Sequence, residues 1–156
     1  MADGLLVEIE KIYRAEYRRF LRVAVGILRD EERAVDAVQE AFATAVQKRR
    51  TFRGEGPLEA WIWRMVVNAA LKERSNDKPL QLVDGEAPES SDVPVPISET
   101  VARLPERQRL MLFLRYYADL EYEAIAMTLD VSPGTVGATL NAAHASLRRL
   151  LQEVRP

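Results

Sequence analysis

Cysteine is absent from the 156 residues, which excludes disulfides, thiolate metal sites and a thiol nucleophile. Histidine occurs once, at His144, so a histidine metal cluster is excluded as well. There is no HExxH and no glycine-rich phosphate loop behind a strand. No catalytic residue, metal or cofactor is therefore expected, and the chain is expected not to be an enzyme. No apolar run approaches the roughly 20 residues that span a bilayer. The N-terminal MADGLLVEIEKIYRAEYRRF is charged throughout and lacks the apolar centre of a secretory signal. These absences point to a cytoplasmic protein without membrane insertion. One further gap is local: from Tyr116 to Leu147 there is no Lys or Arg.

The formal net charge of −2 is unevenly spread. Residues 1–78 carry a net +2, residues 79–100 a net −5 with no basic residue, and residues 101–156 a net +1. The acidic stretch PLQLVDGEAPESSDVPVPIS also holds four of the eight prolines. Proline removes a backbone donor and disfavours helix in the residue before it. The expected organisation is a helical domain at 1–78, a flexible linker at 79–97 and a second helical domain at 98–156.

Strand-like alternation is missing, and helical spacing is plentiful. Ile9, Tyr13, Phe20, Ala24 and Ile27 recur on one face within 4–28, and Asp30 offers an N-cap for the next helix. In 31–50, Val35, Val38, Phe42 and Ala45 form a stripe that leaves Asp36, Gln39, Glu40 and Gln47 outside it. TFRGEGP interrupts the pattern. The run 58–74 is apolar almost all round, as in a helix buried on several sides of a bundle. Beyond the linker, Ser98 can cap a short helix, and Pro105 can open one that places Leu110, Phe113, Leu114 and Tyr117 together. The fold class is all-α.

LEYEAIAMTLDVSPGTVGATL then gives a short helix, a tight turn at Asp130–Ser132 and a longer helix. That is the layout of a helix-turn-helix. Ser132 is placed to N-cap the second helix and Pro133 to start it. Val136, Leu140, Ala143, Leu147 and Leu150 make its apolar face. Affinity for DNA comes largely from cations on phosphates, and this helix has only Arg148 and Arg149, both late. Its remaining chemistry for base edges is Thr135, Thr139 and Asn141.

Two separated blocks resemble the extracytoplasmic-function sigma factors of bacterial RNA polymerase. They are DAVQEAF (36–42) with FRGEGPLEAWIWRMVVNAAL (52–71), and LPERQRLMLFLRYYADLEYEAIAMTLDVSPGTV (104–136). The resemblance implies a first lobe that docks on core RNA polymerase and opens the −10 promoter element. It implies a second lobe that reads the −35 element, and an anti-sigma factor as a further partner. By position it places Asp36, Gln39 and Glu40 on the polymerase-docking helix. Phe52, Arg53 and the Gly54–Pro57 loop fall where a flipped −10 base is held, and Trp61, Trp63, Arg64 and Asn68 on the promoter-melting helix. Thr135, Thr139, Asn141 and Arg148 fall on the −35 recognition helix.

The chain departs from the family pattern at Glu59, Val67 and Lys72, and most of all at Gly137 to His144, where cations are usual. Two roles are open to Trp61 and Trp63, core packing or a stacking platform for a base. Asp36, Gln39 and Glu40 could equally be an ordinary solvated face. KRRTFR (48–53), the densest basic cluster, suits either a helix C-terminus or a nucleic-acid backbone. The principal reading is a sigma factor that binds core polymerase and promoter DNA. Its rival is a sigma-like interaction module that binds an anti-sigma factor without reading DNA. A stand-alone helix-turn-helix repressor fits poorly with the first lobe.

Overall fold

The computed structural model describes residues 3–75 and 100–154. The segment 79–97 and the proposed cap Ser98 lie outside the described residues. Helix α1 runs Gly4–Leu28, and Asp3 caps it by accepting from the amides of Leu5 and Leu6. It ends where Arg29 turns left-handed at φ 55° and donates back to the Val25 carbonyl. Asp30 then caps α2, Glu31–Gln47, through the Arg33 amide at 3.1 Å. Glu31 and Glu32 follow in its first turn, where the helix dipole favours negative charge. A short 3-10 turn, Arg49–Thr51, follows α2. Arg49 in that turn pairs with Asp3 and donates to the Val46 carbonyl, tying the end of α2 to the start of α1.

Helix α3 spans Leu58–Ser75 and lies against both α1 and α2. Its inward residues are Ile62, Trp63, Val66, Val67 and Ala70. Trp63 is fully buried, its ring centroid 4.1 Å from that of Phe20 on α1. Phe20 meets Phe42 of α2 edge-on at 5.1 Å, and Phe42 meets Tyr13 at 4.9 Å. Such edge-to-face geometry suits the aromatic quadrupole and adds to the area buried. The three helices are locked around these rings.

Beyond the helical residues 100–102, α4 covers Glu106–Tyr116, α5 Tyr122–Leu129 and α6 Pro133–Val154. Pro105 stands just outside α4 as its N-cap residue, one place earlier than the first helical position. Met111, Leu114, Ile125, Val136, Leu140 and Ala143 are buried together and close the second core. Leu147 and Leu150 pack against it half-buried. Asp130, left-handed at φ 57°, makes the turn between α5 and α6. The Ser132 hydroxyl accepts from the Thr135 amide at 3.1 Å, so the expected cap is present. Among the described residues all regular structure is helical.

The two lobes are not separate in space. Helix α4 packs on α1, and α5 packs on α3. The two cores form one continuous hydrophobic cluster. The sequence leaves the relative placement of the lobes open, because periodicity reports which face is apolar and not what covers it.

Where α1 crosses the start of α3, two carboxylates meet. Glu16 faces Glu59 and pairs with Arg19 at 3.3 Å. Burial, and then the Glu59 carboxylate, push the Glu16 pKa from its ordinary 4.5 up to about 7. The folded chain therefore holds a proton that the unfolded chain loses. Linkage requires stability to fall as pH rises from about 4.5 to about 7. Glu16→Gln should remove this dependence. Urea denaturation should show the variant more stable than the parent above pH 7 and the two converging near pH 4.5. In the same assay Trp63→Ala should cost roughly 3–5 kcal/mol, the range for truncating a buried aromatic.

Candidate nucleic-acid interface

Because Trp63 faces inward, the opposite side of α3 faces out. Trp61, Arg64 and Asn68 recur there at i, i+3 and i+7, spacing that keeps them on one helix face. Trp61 is half-buried, and its ring lies 5.4 Å from Phe52 at a 50° tilt. The segment between them turns on Gly54 and Gly56, with φ of 73° and 124°. Those left-handed values favour glycine and fold the loop back, so that Phe52 reaches the start of α3. Arg53 is exposed on the same loop. The result is a tilted aromatic pair beside a guanidinium and an amide. This set can stack a base, contact its phosphate and pair with its edge.

Trp63 must be removed from that set. It has no exposed surface, and its ring is engaged by Phe20. A base could reach it only by dismantling the core. Within KRRTFR, Arg49 likewise belongs to the fold through Asp3 and Val46. Lys48, Arg50 and Arg53 remain exposed.

On α2, Ala37, Val38, Ala41 and Phe42 are buried, and Asp36, Gln39 and Glu40 are exposed, as the stripe requires. Asp36 and Glu40 are like charges at i, i+4. Such a pair destabilises an isolated helix by a few tenths of a kcal/mol.

The structure does not bring the four second-lobe candidates together. At about 100° per residue, Thr135 and Thr139 lie on one flank of the apolar stripe of α6. Asn141 and Arg148 lie on the other. Thr135 is further engaged at the helix cap, its hydroxyl 2.9 Å from that of Ser132. The outermost ridge consists of Ala138, Asn141, Ala142, Ala145, Arg148 and Arg149, all exposed. For its first two turns that ridge is small and neutral. Upstream, Arg109 donates to the Ala102 carbonyl and Arg115 to the Leu120 carbonyl.

Several contacts carried no signal in the sequence. His144 Nε2 lies 2.8 Å from the hydroxyl of Tyr116, which is itself 60% exposed. A cleft of about 380 Å³ opens between the lobes. Arg64 and Asn68 line it from α3, Arg107 from α4 and Asp130 from the turn after α5. Among the described residues no group of acidic or histidine side chains could hold a metal ion. No helix among them is long and apolar enough to cross a membrane.

Comparison with known proteins places both lobes. The family model for sigma-70 region 2 matches residues 12–78, and that for sigma-70 region 4 matches residues 95–152. The ECF RNA polymerase sigma factor SigM of Mycobacterium tuberculosis is 31% identical over 152 residues, covering 91% of this chain and 76% of that one. The RNA polymerase sigma-H factor of Pseudomonas aeruginosa is 27% identical, covering 92% of each. Among solved structures, CnrH in complex with the cytosolic domain of CnrY superposes with a TM-score of 0.76. It shares 19% identity and covers 97% of this chain and 92% of that one. The sigma factor RpoE, in complex with the anti-sigma factor NepR from Bartonella quintana, gives 0.74 at 18% identity over 95% and 99%. The helical order, the two matched regions and these relatives agree: the chain belongs to the extracytoplasmic-function sigma factors, which bind core RNA polymerase and direct it to promoters.

Proposed function

We propose that the first lobe carries both the polymerase contact and most of the promoter reading. Asp36, Gln39 and Glu40 form the docking face on α2. Phe52, Arg53, Trp61, Arg64 and Asn68 capture the opened −10 strand. The single observation behind this assignment is the two-faced α3, whose core side is closed by Trp63 and whose outer side aligns Trp61, Arg64 and Asn68. The work is binding in the cytoplasm and not bond-making. Phosphoryl transfer belongs to the polymerase, and the sigma chain stabilises the melted strand by holding its exposed bases. An anti-sigma factor is a further partner, in keeping with the complex of RpoE with the anti-sigma factor NepR.

In the second lobe, Asn141 and Arg148 stand on the outward ridge of α6 and are the stronger −35 candidates. Thr135 and Thr139 would reach DNA only from the flank. A neutral ridge releases few counterions, so duplex binding by this lobe is weak and depends little on salt. The organisation follows the sequence boundaries, 1–78 and 98–156.

Two sets of variants test the assignment. Asp36→Lys and Glu40→Lys each turn a repelling i, i+4 pair into an attracting one, so the helix should gain stability slightly. Affinity for core polymerase should nevertheless drop by roughly tenfold, about 1.4 kcal/mol. Fluorescence-anisotropy titration with core enzyme measures this, and circular dichroism follows the helix. Unchanged affinity in both variants would remove these residues from the docking face. Separately, Ala138→Arg with Ala142→Lys places two cations on the outer ridge. Each should steepen the fall of log K against log salt by about 0.9 for duplex binding by the full chain. A steep slope already in the parent would contradict the weak-ridge reading.

A further inference from the structure

Helix α1 carries charge of one sign on its solvent side. Between residues 11 and 22 it holds five cations and one carboxylate, Glu16. Lys11, Arg14, Arg18 and Arg22 are all exposed. At about 100° per residue they fall within roughly 80° of one another, opposite the buried Ile9, Phe20 and Ile27. The fifth cation, Arg19, stands off this stripe and pairs with Glu16, which faces Glu59 of α3. The one carboxylate of the segment is thus turned away from the stripe.

Two ordinary reasons for a charged helix face fail here. A solvated face alternates sign, so that neighbours at i, i+4 attract. Arg14, Arg18 and Arg22 are like charges at that spacing and weaken the helix. The helix dipole favours cations in the last turn, and the last turn of α1 has none. Lys11 and Arg14 do meet Glu8 at 3.5 Å and Glu10 at 3.0 Å. All four side chains are more than half exposed, and ion pairs of that kind contribute little and are screened by salt.

The stripe continues the cations around the capture platform. Asp3, the cap of α1, holds Arg49. Lys48 and Arg50, exposed on either side of Arg49, are thereby kept at the N-terminal end of α1. Arg53 follows, beside the Phe52–Trp61 pair. Exposed cations lead from the aromatic platform round the start of α1 and along its outer side. Proteins that hold single strands combine aromatic rings, on which bases stack, with a cationic path that follows the phosphates. The platform has the rings, and α1 has the path. Arg14, Arg18 and Arg22 recur about every 6 Å along the axis, and the stripe from Lys11 is about 16 Å long.

We propose that the outer stripe of α1 is a phosphate path for single-stranded DNA leaving the Phe52–Trp61 platform. Lys11, Arg14, Arg18 and Arg22 hold the strand by charge and leave its bases unread, since phosphate contacts position and do not specify. This rests on the reading of Phe52 and Trp61 as the capture platform. A duplex gains less, because its bases stay stacked and it meets α1 without the platform.

Lys11→Gln, Arg14→Gln and Arg18→Gln together remove three cations and keep good helix formers in α1, so circular dichroism should not change. The probes are fluorescent random-sequence single-stranded pools of about 18 and about 6 nucleotides, and a duplex as long as the larger pool. Each is titrated with the full chain by fluorescence anisotropy at several salt concentrations. For the longer pool, each lost contact should flatten the fall of log K against log salt by about 0.7, or about 2 in all, and affinity at low salt should drop about tenfold or more. The shorter pool, which the platform alone can hold, should change little. Ala15→Arg adds a cation at the edge of the stripe and should steepen the slope by about 0.7. Ala43→Arg adds the same charge on the exposed side of α2 and should leave the slope as it was. Trp61→Ala should weaken both pools and keep their slopes. No measurable binding of the longer pool by the parent at low salt, or an unchanged slope in the triple variant, would overturn the path. Equal steepening by Ala15→Arg and Ala43→Arg would overturn it too. A slope lost as much for the duplex as for the longer pool would make the stripe a general polyanion surface and overturn its assignment to a strand. A triple variant that keeps DNA binding and loses core polymerase would give the stripe to the enzyme instead, and overturn the proposal. Full affinity of Trp61→Ala for both pools would overturn the capture platform, while the slope change in the triple variant would still report the stripe.

Discussion

The rest of the structure depends on the burial of Trp63 against Phe20. Helix α3 is apolar on nearly every side, so hydrophobicity alone does not fix its rotation about its own axis. The largest side chain does. Trp63 fills the space between α1 and α2, with Phe20 tilted against it and Phe42 edge-on to Phe20. Once that rotation is set, Trp61, Arg64 and Asn68 have to emerge on the other side, and Val67 and Ala70 have to go inward. The loop with Gly54 and Gly56 then brings Phe52 to Trp61. A core contact thus determines which residues are available to a nucleic acid.

Much of the fold was legible in the sequence because caps and stripes act locally. Asp30, Ser132 and the exposed triplet on α2 stand where spacing alone put them. The all-α class and the helix-turn-helix followed from the same signals. The two tryptophans were not separable by sequence, since both sit in an apolar run and only the neighbouring helices decide which faces inward. The interlobe contacts were illegible for a different reason. Gly26, Phe113, Gly56 and Met127 meet across the fold, and hydrophobic spacing records no partner. Gly26 lies in the last turn of α1, where a glycine reads in the sequence as a helix-end signal and gives no sign of the Phe113 ring packed on it. On α6, Thr135 and Thr139 have the hydroxyl chemistry to meet base edges. The helical phase relative to Val136 and Leu140 moves them to the flank.

The second lobe keeps the architecture of a reader and little of its charge. Its buried set, Val136, Leu140 and Ala143, packs α6 against α4 and α5, while alanines occupy much of the ridge that would face a groove. At the same time its carboxylates Glu106 and Asp130 address cations on α3. The lobe is built as much to sit on its neighbour as to sit on DNA. Both features are in keeping with the proposal that promoter selection rests mainly on the first lobe.

That division of labour is the central claim, and transcription reports it directly. Core RNA polymerase reconstituted with this chain would be given a promoter library randomised at both the −10 and −35 elements, and the transcribed templates sequenced. The account predicts strong enrichment of a defined −10 sequence, with broad tolerance at −35. Strict selection at −35 accompanied by tolerance at −10 would contradict it, and would place the reading on α6.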